Sequence, residues 1–444
     1  MRNQKECPAM ADRVMSQVVT QNFLTSTQSK KDFKKSAKLI PCGVQTLSKM
    51  PNKFISGVYP IYLEKGSGCY VGDGEGNAWI DYPLGLGATL LGHGYPSVSN
   101  ALKKVLDNGN LFICPSRLET QLAEKMKQLI PCAEMSRFLK TGSEVDSAVV
   151  KIARSFTGRE HVAICGYHGW HDWFTVSTPK NKGIPKCYAN LVHKFEFNNL
   201  QSLKDITDKY ELAAVIMEPC IFVEPKDNFL EQVKKLTHDN GALLIFDEVV
   251  TGFRTLGYSA QKYFKVTPDL ATFGKAMANG IPISVVCGKK KYMKELEGDC
   301  FVSSTFGGDL LGVVGALETI RVLEDEHAIE DIWYHGQYLK DGYNEIAKSL
   351  DLETECKGYP CRTFFDFPSG VHKSLFWQEC IQKGVFFGWA NFISFSHRER
   401  EILYTLDVVK QALQKCKENW KNPKKALKGR AACEVFRTIV TEKK

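Results

Sequence analysis

Short, continuously apolar runs recur along the middle of the chain, and each is followed by Gly, Pro or a polar residue. They are Val162 to Cys165, Ala213 to Met217, Ala242 to Phe246, Leu270 to Phe273 and Ser284 to Cys287. Such runs are typical of central strands that are covered on both faces. Apolar residues at helical spacing, from Val145 to Phe156 and from Phe229 to Leu236, predict helices between some of them. The alternation predicts an α/β fold with a mostly parallel central sheet.

The two ends of the chain have a different pattern. Residues 68–81 predict a hairpin with a glycine-rich turn, residues 362–367 and 392–395 predict strands, and residues 402–413 predict a closing helix. We therefore expect a large domain and a small α+β lobe built from both chain ends. The expected parts are an N-terminal arm and part of the small lobe (1–77), the large domain (78–320), the C-terminal small lobe (321–420) and a basic tail (421–444).

Composition excludes several classes of protein. The chain is 43% hydrophobic and 24% charged, as in ordinary globular proteins, and its apolar runs are too short for a membrane span. Its 15 cysteines are scattered without metal-ligand spacing, which predicts reduced thiols in a cytoplasmic protein. The net charge of +8 is concentrated at residues 30–38 and 410–430, and no nucleic-acid-binding motif accompanies either cluster. We interpret both clusters as solvated surfaces and expect no nucleic-acid partner.

The most informative chemistry lies at the ends of two predicted strands. Asp247 ends one apolar run, and Lys275 follows another with small residues around it. A buried carboxylate needs a cation or a strong donor, and a pyridinium nitrogen meets that need. A partly buried lysine with a lowered pKa suits Schiff-base formation. A salt bridge from Asp247 to Arg254, and a solvated Lys275, are the structural alternatives.

Two further segments lie where open α/β sheets bind ligands. Gly142 and Ser143 directly precede the helical stripe that starts at Val145, so they predict a phosphate site at a helix N-terminus. An ordinary helix cap is the alternative. Tyr167 follows the run ending at Cys165 and is suited to stacking on a planar cofactor. Core packing, or a metal held by His168 and His171, is the alternative there; no third ligand is in view, and we predict no metal site.

The residues together resemble the class III aminotransferases, which are fold-type I pyridoxal-phosphate enzymes, and in particular the subgroup around glutamate-1-semialdehyde 2,1-aminomutase. The resemblance runs from about Leu39 to Ile402. It is carried by five stretches: Ile40 to Ser48, Met217 to Pro219, Leu244 to Arg254, Thr267 to Gly280 and Ser303 to Gly308.

The resemblance implies a role for each matching position. Lys275 would form the Schiff base with pyridoxal 5'-phosphate and move the proton during catalysis. Asp247 would pair with the pyridine nitrogen and Val249 would pack against the ring, with Tyr167 stacking on its opposite face. Gly142 and Ser143 would bind the phosphate. Thr305 matches a residue that reaches the phosphate from the neighbouring subunit, which implies a homodimer with shared active sites.

Departures from the family pattern concern the substrate. The mutases have an arginine for the substrate carboxylate where this chain has Val44 to Leu47, and Cys220 to Pro225 replaces a glycine-asparagine pair. The stretches Glu224 to Leu230 and Ser304 to Gly308 resemble relatives from surface-polysaccharide and nucleotide-sugar pathways. The expected function is amino transfer from an amino donor to a small or sugar-linked aldehyde or ketone. An intramolecular 2,1-aminomutase and a catalytically silent binding subunit are the alternatives.

Overall fold

A computed structural model of the chain describes residues 25–433. The helices of eight or more residues are α1 (Thr27–Leu39), α2 (Pro96–Asn108), α3 (Arg117–Leu129), α4 (Gly142–Thr157), α5 (Leu200–Thr207), α6 (Phe229–Asp239), α7 (Leu310–Asp325), α8 (Ala328–Ser349), α9 (Gly370–Ile381) and α10 (Glu399–Glu418). Shorter helical turns include Asp172–Thr175, Ala260–Tyr263 and the 3₁₀ segment Lys275–Ala278.

The strands cover the five apolar runs singled out in the middle of the sequence, except Ala242, but include only Phe392 of the strand predicted at residues 392–395. They are β1 (Lys65–Ser67), β2 (Tyr70–Gly72), β3 (Ala78–Asp81), β4 (Met135–Leu139), β5 (His161–Cys165), β6 (Val192–Lys194), β7 (Leu212–Met217), β8 (Leu243–Asp247), β9 (Leu270–Phe273), β10 (Ser284–Gly288), β11 (Glu355–Tyr359), β12 (Arg362–Asp366), β13 (Val385–Phe386) and β14 (Asn391–Phe392).

One compact unit, residues 97–329, contains a seven-stranded sheet in the order β4-β10-β9-β8-β7-β5-β6. From β6 through β5, β7 and β8 to β9, each strand is parallel to its neighbour in the sheet. Strand β10 runs antiparallel to both β9 and β4. The sheet is thus mostly parallel, as predicted, with one reversed strand. Val145, Val149 and Ile152 of α4 are buried in one core with Ile164 and Ile245 of the sheet. This packing fixes the start of α4 within the unit that carries the strand ends.

The other compact unit draws on both chain ends and comprises residues 25–96 and 330–433 of the described part. Strands β1, β2, β3 and β13 form one sheet, in which β2 and β3 are the predicted hairpin, and β11, β12 and β14 form another. Helices α9 and α10 belong to the same unit. The fold class is confirmed. The units divide at 96/97 and 329/330, later along the chain than the predicted boundaries, and the predicted tail lies only in part within the described residues.

No helix in the described part of the chain, residues 25–433, is long and apolar enough to cross a membrane.

Candidate active site

Asp247 and Lys275 lie at neighbouring strand ends, as the sequence predicts. Asp247 is the last residue of β8, and Lys275 follows the end of β9 by two residues. The two strands are parallel, and Asp247 is in register with Thr272 of β9. Because parallel strands present their carboxyl ends at the same sheet edge, both side chains belong to one site.

The Asp247 carboxylate is held by two donors. It is 3% exposed. Its Oδ1 accepts a hydrogen bond of 3.0 Å from the Val249 amide, and its Oδ2 lies 2.8 Å from Nδ1 of His168. Arg254, the partner considered from sequence, donates from Nε to the Val250 carbonyl. The partner that the structure gives Asp247 is therefore His168, which the sequence analysis had not linked to it.

His168 is fully buried, and its protonation follows from its contacts. Its Nε2 has no hydrogen-bond partner among residues 25–433, so an imidazolium would bury both a charge and an unpaired donor. The neutral ring with its proton on Nδ1 is the better assignment, and Nδ1–H donates to Asp247. Nδ1 of His171 lies 2.6 Å from the Ser147 hydroxyl. The two histidines have different partners, and their arrangement does not call for a shared metal.

Asp146 of α4 is a second buried carboxyl group at this site. Its Oδ1 accepts a hydrogen bond of 2.8 Å from the Thr272 hydroxyl, and side-chain atoms of Asp146, His168 and Asp247 lie within 4.8 Å of one another. Two carboxylates this close repel by roughly 3 to 4 kcal/mol at an effective dielectric constant of about 20. Burial first, and the charge of Asp247 second, raise the pKa of Asp146 well above its usual range. Sequence reasoning missed Asp146.

The start of α4 combines a helix cap with a separate polar cradle. Thr141 is the cap: its hydroxyl accepts from the Glu144 amide, while the Glu144 carboxylate accepts from the Thr141 amide. Ser143 is therefore not needed as a cap, and its hydroxyl accepts from the Trp170 amide at 3.2 Å. The first-turn amides of a helix have no intrahelical acceptor and favour an anion.

Glycines bring this cradle close to the strand ends. A Cβ at Gly142 would lie 3.1 Å from Cγ1 of Val249, and one at Gly274 would lie 3.7 Å from the same atom. The Val249 side chain thus lies between the start of α4 and the residue before Lys275. A Cβ at Gly169 would strike the Ser143 side chain. The backbone around Ser143 therefore has no room for a larger residue at Gly169 and little room at Gly142.

Lys275 starts the 3₁₀ turn Lys275–Ala278 in a left-handed conformation, with φ of +46°. A lysine in this region is strained, and such residues cluster at functional sites. The Lys275 charge lies close enough to Asp146 to lower the pKa of that acid, against burial. The lysine and the carboxyl groups are therefore electrostatically coupled.

Tyr167 lies in the loop between β5 and Asp172, next to His168. Its amide donates to Oε1 of Glu218 at 3.0 Å, and its ring makes an edge contact with Phe174 at 5.3 Å between centroids. Glu218, which had no assigned role in the sequence, is thus a support for the loop that presents Tyr167. The contact with Phe174 is the core packing considered from the sequence, and the stacking role of Tyr167 stays a prediction.

Thr305 is exposed in the turn that precedes α7. Among residues 25–433, the contacts given above connect the other six predicted site residues but do not involve Thr305. The structure thus groups Gly142, Ser143, Tyr167, Asp247, Val249 and Lys275, and leaves Thr305 on the surface of the same unit.

This arrangement fits a planar cofactor with an anionic group. A helix N-terminus with a hydroxyl, a buried acid oriented by two donors, an aromatic ring and an amine occur together. The close approach of Gly142 to Val249 leaves backbone, not side chain, at the start of α4. The helix N-terminus suits a phosphate, and the buried acid suits a ring nitrogen. The aromatic ring suits the face of a cofactor ring, and the amine suits an aldehyde.

Comparison with known proteins gives a consistent result. The family model "Aminotransferase class-III" matches residues 55–396. The 3-aminobutyryl-CoA aminotransferase of Cloacimonas acidaminovorans is 32% identical over 87% of this chain and 96% of its own length. The glutamate-1-semialdehyde 2,1-aminomutase of Archaeoglobus fulgidus is 31% identical over 87% of this chain and 99% of its own length.

Two solved structures have the same fold. The FumI protein of Sphingopyxis sp. MTA144, solved in its PLP internal aldimine form, gives a TM-score of 0.84 at 24% identity and covers 89% of this chain and 98% of its own. An omega-transaminase from Sphaerobacter thermophilus gives 0.81 at 24% identity, over 88% of this chain and 98% of its own.

Proposed function

Because the chain belongs to the class III aminotransferases, which use pyridoxal phosphate for amino transfer, we propose that it moves an amino group from an amino donor to a small or sugar-linked aldehyde or ketone. We favour amino transfer over isomerisation because of the sequence of the stretch Val44 to Leu47. It lacks the arginine that the resemblance assigns to the carboxylate of a mutase substrate.

Pyridoxal phosphate supplies an aldehyde for covalent capture of amines and a ring that withdraws electrons. In our proposal, Lys275 holds the cofactor covalently and transfers the proton at the substrate carbon. Asp247, oriented by His168 and Val249, keeps the ring nitrogen protonated. The first turn of α4, with Gly142 and Ser143, binds the phosphate.

The faces of the cofactor ring are assigned to two further residues. We place Val249 against one face, because its side chain lies between Gly142 and Gly274. Tyr167 covers the opposite face, and its backbone is fixed by Glu218. Both contacts would exclude water from the reacting centre, which strengthens the interaction between Asp247 and the ring nitrogen.

The relatives widen the acceptors to be tested. One acts, by its name, on 3-aminobutyryl-CoA, so an acceptor carried on coenzyme A is a candidate beside a sugar-linked one. Other relatives are aminomutases, and that activity is the second candidate function. For the first function, an amino donor and a carbonyl acceptor are the small-molecule partners.

The proposal includes a homodimer with shared sites, in which Thr305 reaches the partner's phosphate. Its support is a run of exposed apolar side chains in the unit that carries the site. Phe112 and Ile113 are exposed, as is Phe306 beside Thr305, and residues 110–116 line a groove with Gly307 and Gly308. A cytoplasmic location is proposed from the free thiols of the cysteines in residues 25–433.

The proposal is tested by loading the protein with pyridoxamine phosphate and adding carbonyl compounds one at a time. The panel holds small aldehydes, keto sugars linked to nucleotides, 3-oxoacyl-CoA thioesters and glutamate-1-semialdehyde. The expected result is return of the pyridoxal-phosphate absorbance with one class, together with an aminated product by mass spectrometry. Complete conversion of an amino aldehyde with no added donor would instead establish the aminomutase. A protein that binds cofactor and converts nothing would support the silent subunit.

A further inference from the structure

Asp146 is a buried acid that the functions described so far leave without a role. It lies in the first turns of α4 and is 2% exposed. Its neighbours are the hydroxyl of Thr272 on β9 and the carboxylate of Asp247 on β8. An ionised carboxylate at this depth would need more donors than Thr272 provides.

The contacts of the two acids decide which of them carries a proton. Asp247 accepts from the Val249 amide and from Nδ1 of His168, and both donors favour its charged form. Asp146 accepts one hydrogen bond, from Thr272, and its carboxyl group lies within 4.8 Å of the Asp247 carboxylate. Two buried carboxyl groups this close favour a proton on one of them, and the donors assign that proton to Asp146.

The charged and titratable groups that face Asp146 are Asp247 from β8, His168 from the loop after β5 and Lys275 from the turn after β9. His168 is neutral, by its unpartnered Nε2 among the described residues. Lys275 is the cation of the set, and its charge favours an ionised Asp146. Burial and the charge of Asp247 oppose this effect and are the larger influences on the pKa of Asp146.

We propose that Asp146 is a positioning residue: it stays a neutral acid, donates a hydrogen bond to Asp247, and so limits the negative charge that Asp247 presents to the ring nitrogen of pyridoxal phosphate. The effect on the cofactor rests on the proposed function. The neutral acid itself does not, because it follows from the contacts of the protein alone. Without the donor, Asp247 holds the ring proton more firmly.

Two variants separate the donor from the bulk of the side chain. Asp146→Asn keeps an N–H donor for Asp247 and an oxygen for Thr272, whereas Asp146→Leu has similar size and neither group. Asp205→Asn, on the exposed face of α5, is the control for loss of an acid elsewhere. All are made in the full chain.

The first measurement is infrared spectroscopy at pH 7 of protein labelled with ¹³C-aspartate, with and without cofactor. The expected result is a carbonyl stretch of a protonated aspartic acid that is present in the wild type and in Asp205→Asn and is absent in Asp146→Asn. Absence of this band from the wild type would overturn the proposal. The result stands whether or not pyridoxal phosphate binds, so it is independent of the proposed function.

The second measurement is the ¹⁵N chemical shift of the ring nitrogen, followed against pH in protein loaded with ¹⁵N-pyridoxal phosphate. Asp146→Asn is expected to titrate as the wild type does, and Asp146→Leu to titrate about one pH unit higher. Equal midpoints in Asp146→Leu and the wild type would show that Asp146 does not act on Asp247. If Asp146→Leu does not fold, Asp146→Ala, which also lacks the donor, takes its place in this titration, and the infrared band still tests the neutral acid. Failure of the wild type to bind cofactor would contradict the proposed function instead.

Discussion

Lys275 is the residue to which we assign covalent attachment of the cofactor. We predict that Lys275→Ala loses the covalent link: after borohydride reduction, mass spectrometry finds a cofactor adduct on the wild-type peptide and none on the variant. The physical reason is that Lys275 supplies the amine at the strand-end site, two residues after β9. Amino transfer should fall by several orders of magnitude.

The control is Lys235→Ala on α6. The Lys235 side chain is 77% exposed and pairs with Asp239, four residues along the same helix. This variant should keep the adduct and the activity. An adduct that survives in Lys275→Ala would show that another amine carries the cofactor.

Glu248 gives the protein a pH-dependent stability. It is fully buried, and burial raises its pKa to about 7 against hydrogen bonds from Ala260, Gln261 and Thr251. Because the folded-state pKa lies above the usual 4.5, the protonated form stabilises the fold below pH 4.5, and this contribution is lost as pH rises through 7. Wild-type stability should therefore fall between these values by up to roughly 3 kcal/mol.

The measurement compares denaturant unfolding of cofactor-free wild type and Glu248→Gln at pH 5 and pH 8. The amide cannot ionise, so the wild type should lose more stability than the variant over this range. Glu231→Gln, at an exposed position of α6, should behave as the wild type does. Parallel pH profiles for wild type and Glu248→Gln would mean that Glu248 does not titrate here.

Whether the place of a single residue in the site could be predicted depends on its neighbours in the sequence. Asp247 and Lys275 follow apolar runs, so their burial could be predicted and their need for partners inferred. Asp146 lies beside Val145 in a helix, where a polar residue usually faces solvent. Glu218 was noticed without a role, because its contact with the Tyr167 amide joins residues 51 apart. Contacts of this kind depend on the packed fold.

The loop after β5 is fixed to the start of α4, and this contact offers a test at the level of elements. A Cβ at Gly169 would strike Ser143, whereas one at Gly183 would meet nothing within 4 Å; φ is +95° and +94° respectively. We predict that Gly169→Ala weakens pyridoxal-phosphate binding at least tenfold, because the Ser143 cradle must shift. Fluorescence titration measures the affinity.

Gly183→Ala is the matched control, since it has the same backbone strain without the collision. Its affinity for the cofactor should stay within about twofold of the wild type. Equal losses in both variants would assign the effect to backbone strain alone.

At the same scale, the sequence predicted the five central strands of the seven-stranded sheet and missed the other two. The missed strands, β4 and β6, are the two edges of the seven-stranded sheet. Edge strands face solvent on one side, and β4 accordingly includes Ser136 and Arg137. The direction of β10 could not be predicted either, because an apolar run looks the same in a parallel and an antiparallel strand.

For the whole molecule, the proposed sharing of active sites between two subunits predicts complementation between inactive chains. Lys275→Ala and Thr305→Ala subunits, mixed under conditions that exchange subunits, form hybrids in which one of two sites has both native residues. Activity of the mixture should rise to about a quarter of the wild-type value, whereas each variant alone stays low. Light scattering gives the mass of the assembly. If all site residues come from one chain, mixing will restore nothing.

The order of the two compact units along the chain has a consequence for biosynthesis. The six grouped site residues all lie in the uninterrupted unit of residues 97–329, whereas the other unit needs residues 330–433 to be complete. On the ribosome, the unit of residues 97–329, which carries the proposed cofactor site, is therefore the first to be complete, whereas residues 25–96 wait for residues 330–433. Domains generally fold as units during synthesis. The nascent chain can thus acquire its cofactor site while its first segment is still unpaired.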